Sequence, residues 1–197
     1  MSPSGKEIIA ALIGVCIGGF LTYNLIPDGH EHNHTHEDGE YHVHADFLIQ
    51  IEDQTLDLNR PELMTNNLQQ LHGDAHLHDD EGKVLHLHKE GVAFTEFLSS
   101  LGIILSEDCL ELIGIEEYCV DETKSLGLYV NNEKWSEEAA NYVPSDLDRI
   151  LLFYGEDTAG LVQTHLDNVS NDACIYSGSC LERGIAPDES CGLTCEL

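Results

Sequence analysis

The sequence predicts an α+β domain with a mixed sheet, set behind an apolar N-terminal segment and ahead of a disulfide-rich C-terminal tail. Three observations carry that expectation. Residues 41–51 and 75–90 alternate polar and apolar side chains with the two-residue period of strands, and 149–154 (RILLFY) is an apolar run of strand length. Phe94, Phe97, Leu98 and Leu101 recur at i, i+3, i+4 and i+7, a short amphipathic helix closed by Gly102. Six cysteines lie from Cys109 onward, too many and too late in the chain to be incidental.

Four parts follow in order: a transmembrane anchor (1–27), a His-rich flexible linker (28–40), a metal-binding domain (41–157), and a helix with a disulfide-stapled tail (158–197). The anchor rests on residues 8–26, IIAALIGVCIGGFLTYNLI, which carry no charge. As a helix they span roughly 28 Å, about one bilayer core. Lys6 precedes them and acidic residues dominate after them, which places the N-terminus in the cytoplasm and the bulk outside the cell membrane. Tyr23 stands where an interfacial aromatic belongs, and Pro27 ends the helix. A cleaved signal peptide is the rival, but Thr22-Tyr23-Asn24 is a poor cleavage site and Cys16 follows Val15 rather than a small residue. Both readings export the rest of the chain. Gly14 and Gly18 form a GxxxG that can pair two helices in a homodimer.

Charge excludes several partners. The formal net charge is −29, and since Lys6 and Glu7 cancel, all of it lies beyond the apolar run. Nucleic acid is excluded, because phosphate binding needs clustered Lys and Arg. Docking on anionic lipid is disfavoured for the same reason. The acidity reads chiefly as a soluble surface.

Cys109, Cys119, Cys174, Cys180, Cys191 and Cys195 form an even set in an exported chain, so disulfides are expected. Cys109 and Cys119 form a local pair, and the other four crowd the tail. No CxxC occurs, so a thioredoxin-like site has no support.

Along the domain, His42, His44, Asp46, Leu48 and Gln50 face one way and Val43, Ala45, Phe47, Ile49 and Ile51 the other, a half-buried strand. Residues 54–58 pair back on it, and 61–71 make a short helix or loop. In 75–90, two alternating runs flank Asp80-Glu81-Gly82, a three-residue hairpin loop with glycine in the left-handed position. That loop sets His76 opposite His86 and Leu77 opposite Leu85. A slip of one residue would mix the polar and apolar faces, so the pattern selects the register that clusters histidines. Asn131-Asn132 turns a second hairpin, 149–154 is central, and 158–168 is a helix with Asp157 as its cap. His165 lies on that helix and reads as surface.

The helix from Phe94 to Gly102, then LYVNNEKW (128–135) and SDLDRILLFYG (145–155), resembles β-grasp domains. The resemblance implies a helix crossing a mixed sheet that a late strand closes, here with an added His-rich hairpin. HVHADF (42–47), HLHDDEGKVLHLHKEG (76–91) and ACIYSGSCLERG (173–184) are similar to an uncharacterised prokaryotic family of membrane-anchored, His-rich proteins, some labelled protein-disulfide isomerases. That family brings no function to carry over, and the absent CxxC argues against the isomerase label.

The chemistry lies in the histidines. His42/His44, His76/His78 and His86/His88 are HxH pairs on predicted strands, each pair pointing one way about 7 Å apart. That spacing lets two imidazoles reach one ion, with a third from a neighbouring strand. Imidazole suits copper and zinc, and six exceed one tetrahedral site, so one or two ions are implied. Asp46 and Glu90 extend the same faces as ligands or as acceptors for His N–H. His30, His32, His34 and His36 form a tract that can capture metal loosely, and His72 is a spare. Asp79-Asp80-Glu81 lacks EF-hand spacing, and neither H-E-x-x-H nor a phosphate loop is present. Three functions fit: capture, buffering or delivery of copper or zinc; a metalloenzyme, hydrolytic or redox, with a one- or two-ion site; and a surface interaction module with structural metal.

Overall fold

A computed structural model describes residues 41–65 and 71–186. The apolar segment 8–26, Gly14 and Gly18, the tract His30 to His36, and Cys191 and Cys195 lie outside the described residues. No described helix is long and apolar enough to cross a membrane.

The domain is α+β, built on a mixed sheet. Its centre is β1 (Val43–Ile51), which runs parallel to β10 (Arg149–Gly155), with Asp46 opposite Arg149 and Ile51 opposite Tyr154. Beyond β10 lie β8 (Ser125–Val130) and β9 (Glu133–Lys134), joined by a turn in which Asn131 and Asn132 both take positive φ. That is the primed turn that Asn-Asn favours. On the other side of β1 lie β4 (Val84–Leu87) and then β3 (Ala75–His76), while β2 (Gln54–Thr55) pairs with the far end of β1.

One face of the sheet carries Val43, Ala45, Phe47, Ile49, Leu85, Leu87, Ile150 and Leu152 into the main core. The amphipathic helix α1 (Phe94–Ser100) packs there, with Phe97 edge-on to Phe47 at 5.2 Å between centroids. Gly102 takes φ +75°, the left-handed stop expected of it. A second, three-stranded sheet of β5 (Ile103–Leu105), β6 (Cys109–Leu112) and β7 (Glu116–Cys119) follows, which the sequence pattern did not reveal. Cys109 and Cys119 stand directly opposite each other in its ladder and form a disulfide.

The other face is also covered. Leu48, Leu151 and Phe153 pack under α2 (Ala159–Asn168), and the His end of the face lies under the tail with α3 (Ala173–Tyr176), whose Cys174 is bonded to Cys180. Every residue of β1 is therefore buried, where alternation implied a half-buried strand. Alternation reports that the two faces differ in polarity. It does not say whether the polar face meets water or another layer.

Further expectations are corrected. The hairpin register holds, with Ala75 opposite Leu87 and His76 opposite His86, but the ladder ends there and the connection is longer than three residues. Leu77 instead bridges to Met64, and its carbonyl accepts from Thr65 N at 2.7 Å. The left-handed positions are Asp79 and Asp80, not Gly82. Gly82 is glycine for room: a Cβ there would stand 2.5 Å from Asn59 N. Asp157 is not the cap of α2, whose N-cap is Thr158; its carboxylate receives Lys134 Nζ at 3.2 Å. His165 is buried, stacked on Phe153 at 5.6 Å, because α2 turns that face onto the sheet.

Candidate metal centre

The pairing order β3-β4-β1 brings the three HxH motifs together. His76, His86 and His44 lie side by side across the three strands, and His88 and His42 are one step along on the same face, since β4 pairs with β1 in that register. The neighbouring imidazole centroids are 3.7 to 5.6 Å apart around the cluster, from His78–His86 to His76–His78. His44, His76, His78 and His86 are at most 1% exposed, and His42 and His88 are half-buried at the rim. This is a buried histidine cluster compatible with metal binding.

Hydrogen bonds fix how three of the rings present themselves. His76 Nδ1 lies 2.9 Å from the His72 carbonyl oxygen, which can only accept, so Nδ1 carries the proton. His78 Nδ1 lies 2.6 Å from Asp79 Oδ2 and donates to that carboxylate. Ser177 Oγ donates to Asp146 Oδ1 at 2.6 Å, which leaves its lone pair for His44 Nδ1 at 3.0 Å. In each neutral ring the basic lone pair then sits on Nε2. Donation of one ring N–H to a carbonyl or carboxylate, directly or through a hydroxyl, is the arrangement that orients metal-ligating imidazoles and raises their basicity. His86, in the middle, is held well below the ordinary histidine pKa, first by burial and then by His78, His44, His76 and His88. It stays neutral and able to ligate.

Several contributors gave no signal of their own in the sequence. The tail brings Tyr176, whose ring is 4.9 Å from that of His86 and 5.8 Å from that of His44. Asp146, in the loop before β10, also accepts from His44 N at 3.0 Å, and Leu147 N returns a bond to His44 O at 2.8 Å. A search for carboxylates and hydroxyls near HxH motifs would have missed Asp146 and Ser177, because they stand 102 and 133 positions from His44.

Other predicted residues are placed differently. Asp46 is buried on the His face, but its carboxylate takes Ser170 Oγ at 2.6 Å, Asp172 N at 2.7 Å and Ala173 N at 3.0 Å. It anchors the tail over the cluster. Glu90 is exposed, past the end of β4. His72 Nδ1 accepts from Asp74 N and Ala75 N, so it supports the His76 turn through its backbone and ring alike. Cys109, Glu117 and Cys119 place ligand-type atoms within 4.8 Å of one another, but the two sulfurs are joined and offer no thiolate while the disulfide stands.

No family model, curated protein or solved structure matches the chain.

Proposed function

We propose that this chain is an exported, membrane-anchored protein that binds copper or zinc through the HxH cluster and serves to capture, buffer or deliver the ion. The observation that carries the metal reading is the fixed Nδ1–H donation of His44, His76 and His78, which leaves the basic lone pair of each ring on Nε2. Burying polar rings costs free energy that apolar side chains would not, and nothing in packing requires six histidines on one face. The imidazole-rich donor set favours copper or zinc over calcium or magnesium. Anchoring and export are supported by the uncharged run 8–26 and by the positive-inside pattern. The disulfides Cys109–Cys119 and Cys174–Cys180 suit an oxidising compartment. The tract His30 to His36 supports capture, since it adds a loose collector beside the cluster's sequence. The order β4-β1-β10-β8, with a helix crossing before β8, supports a β-grasp-like core.

The test is elemental analysis and EPR on the untagged full chain, beside a variant with His76, His78, His86 and His88 changed to Ala. One or two tightly held ions in the parent and none in the variant is the expected result. A parent with no metal above background, after exposure to both ions, overturns the reading.

A further inference from the structure

The six imidazoles have an internal order. Followed from neighbour to neighbour, their centroids form a closed loop: His42–His88 at 4.2 Å, His88–His76 at 4.7 Å, His76–His78 at 5.6 Å, His78–His86 at 3.7 Å, His86–His44 at 4.7 Å and His44–His42 at 5.2 Å. The two longest links, 5.6 and 5.2 Å, are those within an HxH motif. The four shorter ones join different motifs. Cutting the loop at its long links leaves His42, His76 and His88 in one group and His44, His78 and His86 in the other. Each HxH motif therefore gives one imidazole to each group.

The surroundings of the two groups differ in the same sense. The group of His44, His78 and His86 is wholly buried, with the Tyr176 ring against all three at 4.9 to 6.3 Å and Ser177 on His44. The other group joins buried His76 to His42 and His88, which are half-buried at the rim. Imidazoles that share an ion at bond lengths of about 2.0–2.1 Å hold their ring centres about 5 Å apart, and two links in each group lie near or below that: 4.2 and 4.7 Å around His88, and 3.7 and 4.7 Å around His86.

Resting on the metal-binding reading, the geometry points to two stacked three-histidine ion sites: an outer one reached from solvent, and an inner one roofed by the tail that fills after it. The alternation HxH is then the device that builds two layers from three strands, rather than a pair of ligands for one ion. Water completes the coordination of the outer ion, which makes it the exchangeable one. The inner ion, under Tyr176, is slow to enter and slow to leave.

Co(II) serves as the probe, because its visible bands report low coordination number. The protein is the full chain with His30, His32, His34 and His36 changed to Ala, so that the tract contributes nothing. Saturation at two Co(II) per chain, in a fast and a slow phase, is expected. His88→Ala should keep one ion and lose the fast phase, and His78→Ala should keep one and lose the slow phase. Should His78→Ala fail to fold by circular dichroism, His78→Gln replaces it, and the parent's stoichiometry decides independently. Saturation at one Co(II), abolished by either variant, overturns the two-site inference and leaves metal binding intact. No bound Co(II) in the parent overturns both.

Discussion

Two side chains show how single residues set the behaviour of this fold. His165 is a base buried against Phe153, and burial lowers its pKa below the ordinary 6.5, offset in part by Asp53. As pH falls, the unfolded chain takes up this proton before the folded one does. The stabilisation is thus complete above about pH 6.5 and declines below it, towards the depressed folded value. Melting temperature measured from pH 7.5 to 5 should fall, and His165→Leu should flatten part of that fall. Ser177 is a different case. Its hydroxyl links Asp146 to His44, so Ser177→Ala removes the acceptor that fixes the His44 ring. Metal affinity should drop about 10- to 100-fold, as for other lost partners of ligating imidazoles. Urea-unfolding stability of the metal-free protein should change by only about 1 kcal/mol. Competition against a chromophoric chelator reads the first, and a loss equal in both would mark Ser177 as merely structural.

At the scale of elements, Arg149 is the joint between sheet and cover. Its guanidinium donates to the carbonyls of Leu166, Val169 and Ser170, at the C-terminal end of α2 and the start of the tail. Arg149→Ala should cost about 2–3 kcal/mol in chemical unfolding, since charged hydrogen bonds are the stronger ones. It should also raise the hydrogen exchange of amides in α2 and α3. Which elements form was largely legible in the sequence. The hairpin register of 75–90, the helix at 94–101 and the central strand at 149 follow from period, and the Asn131-Asn132 turn from its residues, because those signals are local. The small sheet of β5 to β7 was not, since strands of three and four residues carry too few alternations to register. Nor was the roof. Whether a polar strand face meets solvent depends on where a later segment lands, and Asp46 reads as a ligand until Asp172 and Ala173 are seen to claim it.

For the whole molecule, the proposed metal binding is coupled to stability. An ion that binds only the folded domain stabilises it by about 2.7 kcal/mol when free metal is a hundred times the dissociation constant. Calorimetry of the chain with and without Zn(II), and again after a chelator, should show a reversible rise in melting temperature. The rise should persist in 1 M salt, because it comes from coordination rather than from the −29 net charge, whose long-range attraction for cations is screened there. The six-imidazole cluster itself was legible as an inference from three HxH motifs and one register. Its division into layers was not, because that depends on ring positions across strands and on the cover.

The roof also imposes a schedule. All six cluster histidines have left the ribosome by residue 88, but the sheet that holds them is not complete until β10, and Tyr176 and Ser177 arrive later still. Emerging chain therefore passes through an interval in which the imidazoles exist without a lid. For a chain exported as proposed, that interval falls during or just after membrane crossing, where cytoplasmic chelators are left behind. Under that proposal, the ion beneath Tyr176 is set by what is present where the cover folds down, and the folded protein keeps that choice as a record of its place of folding.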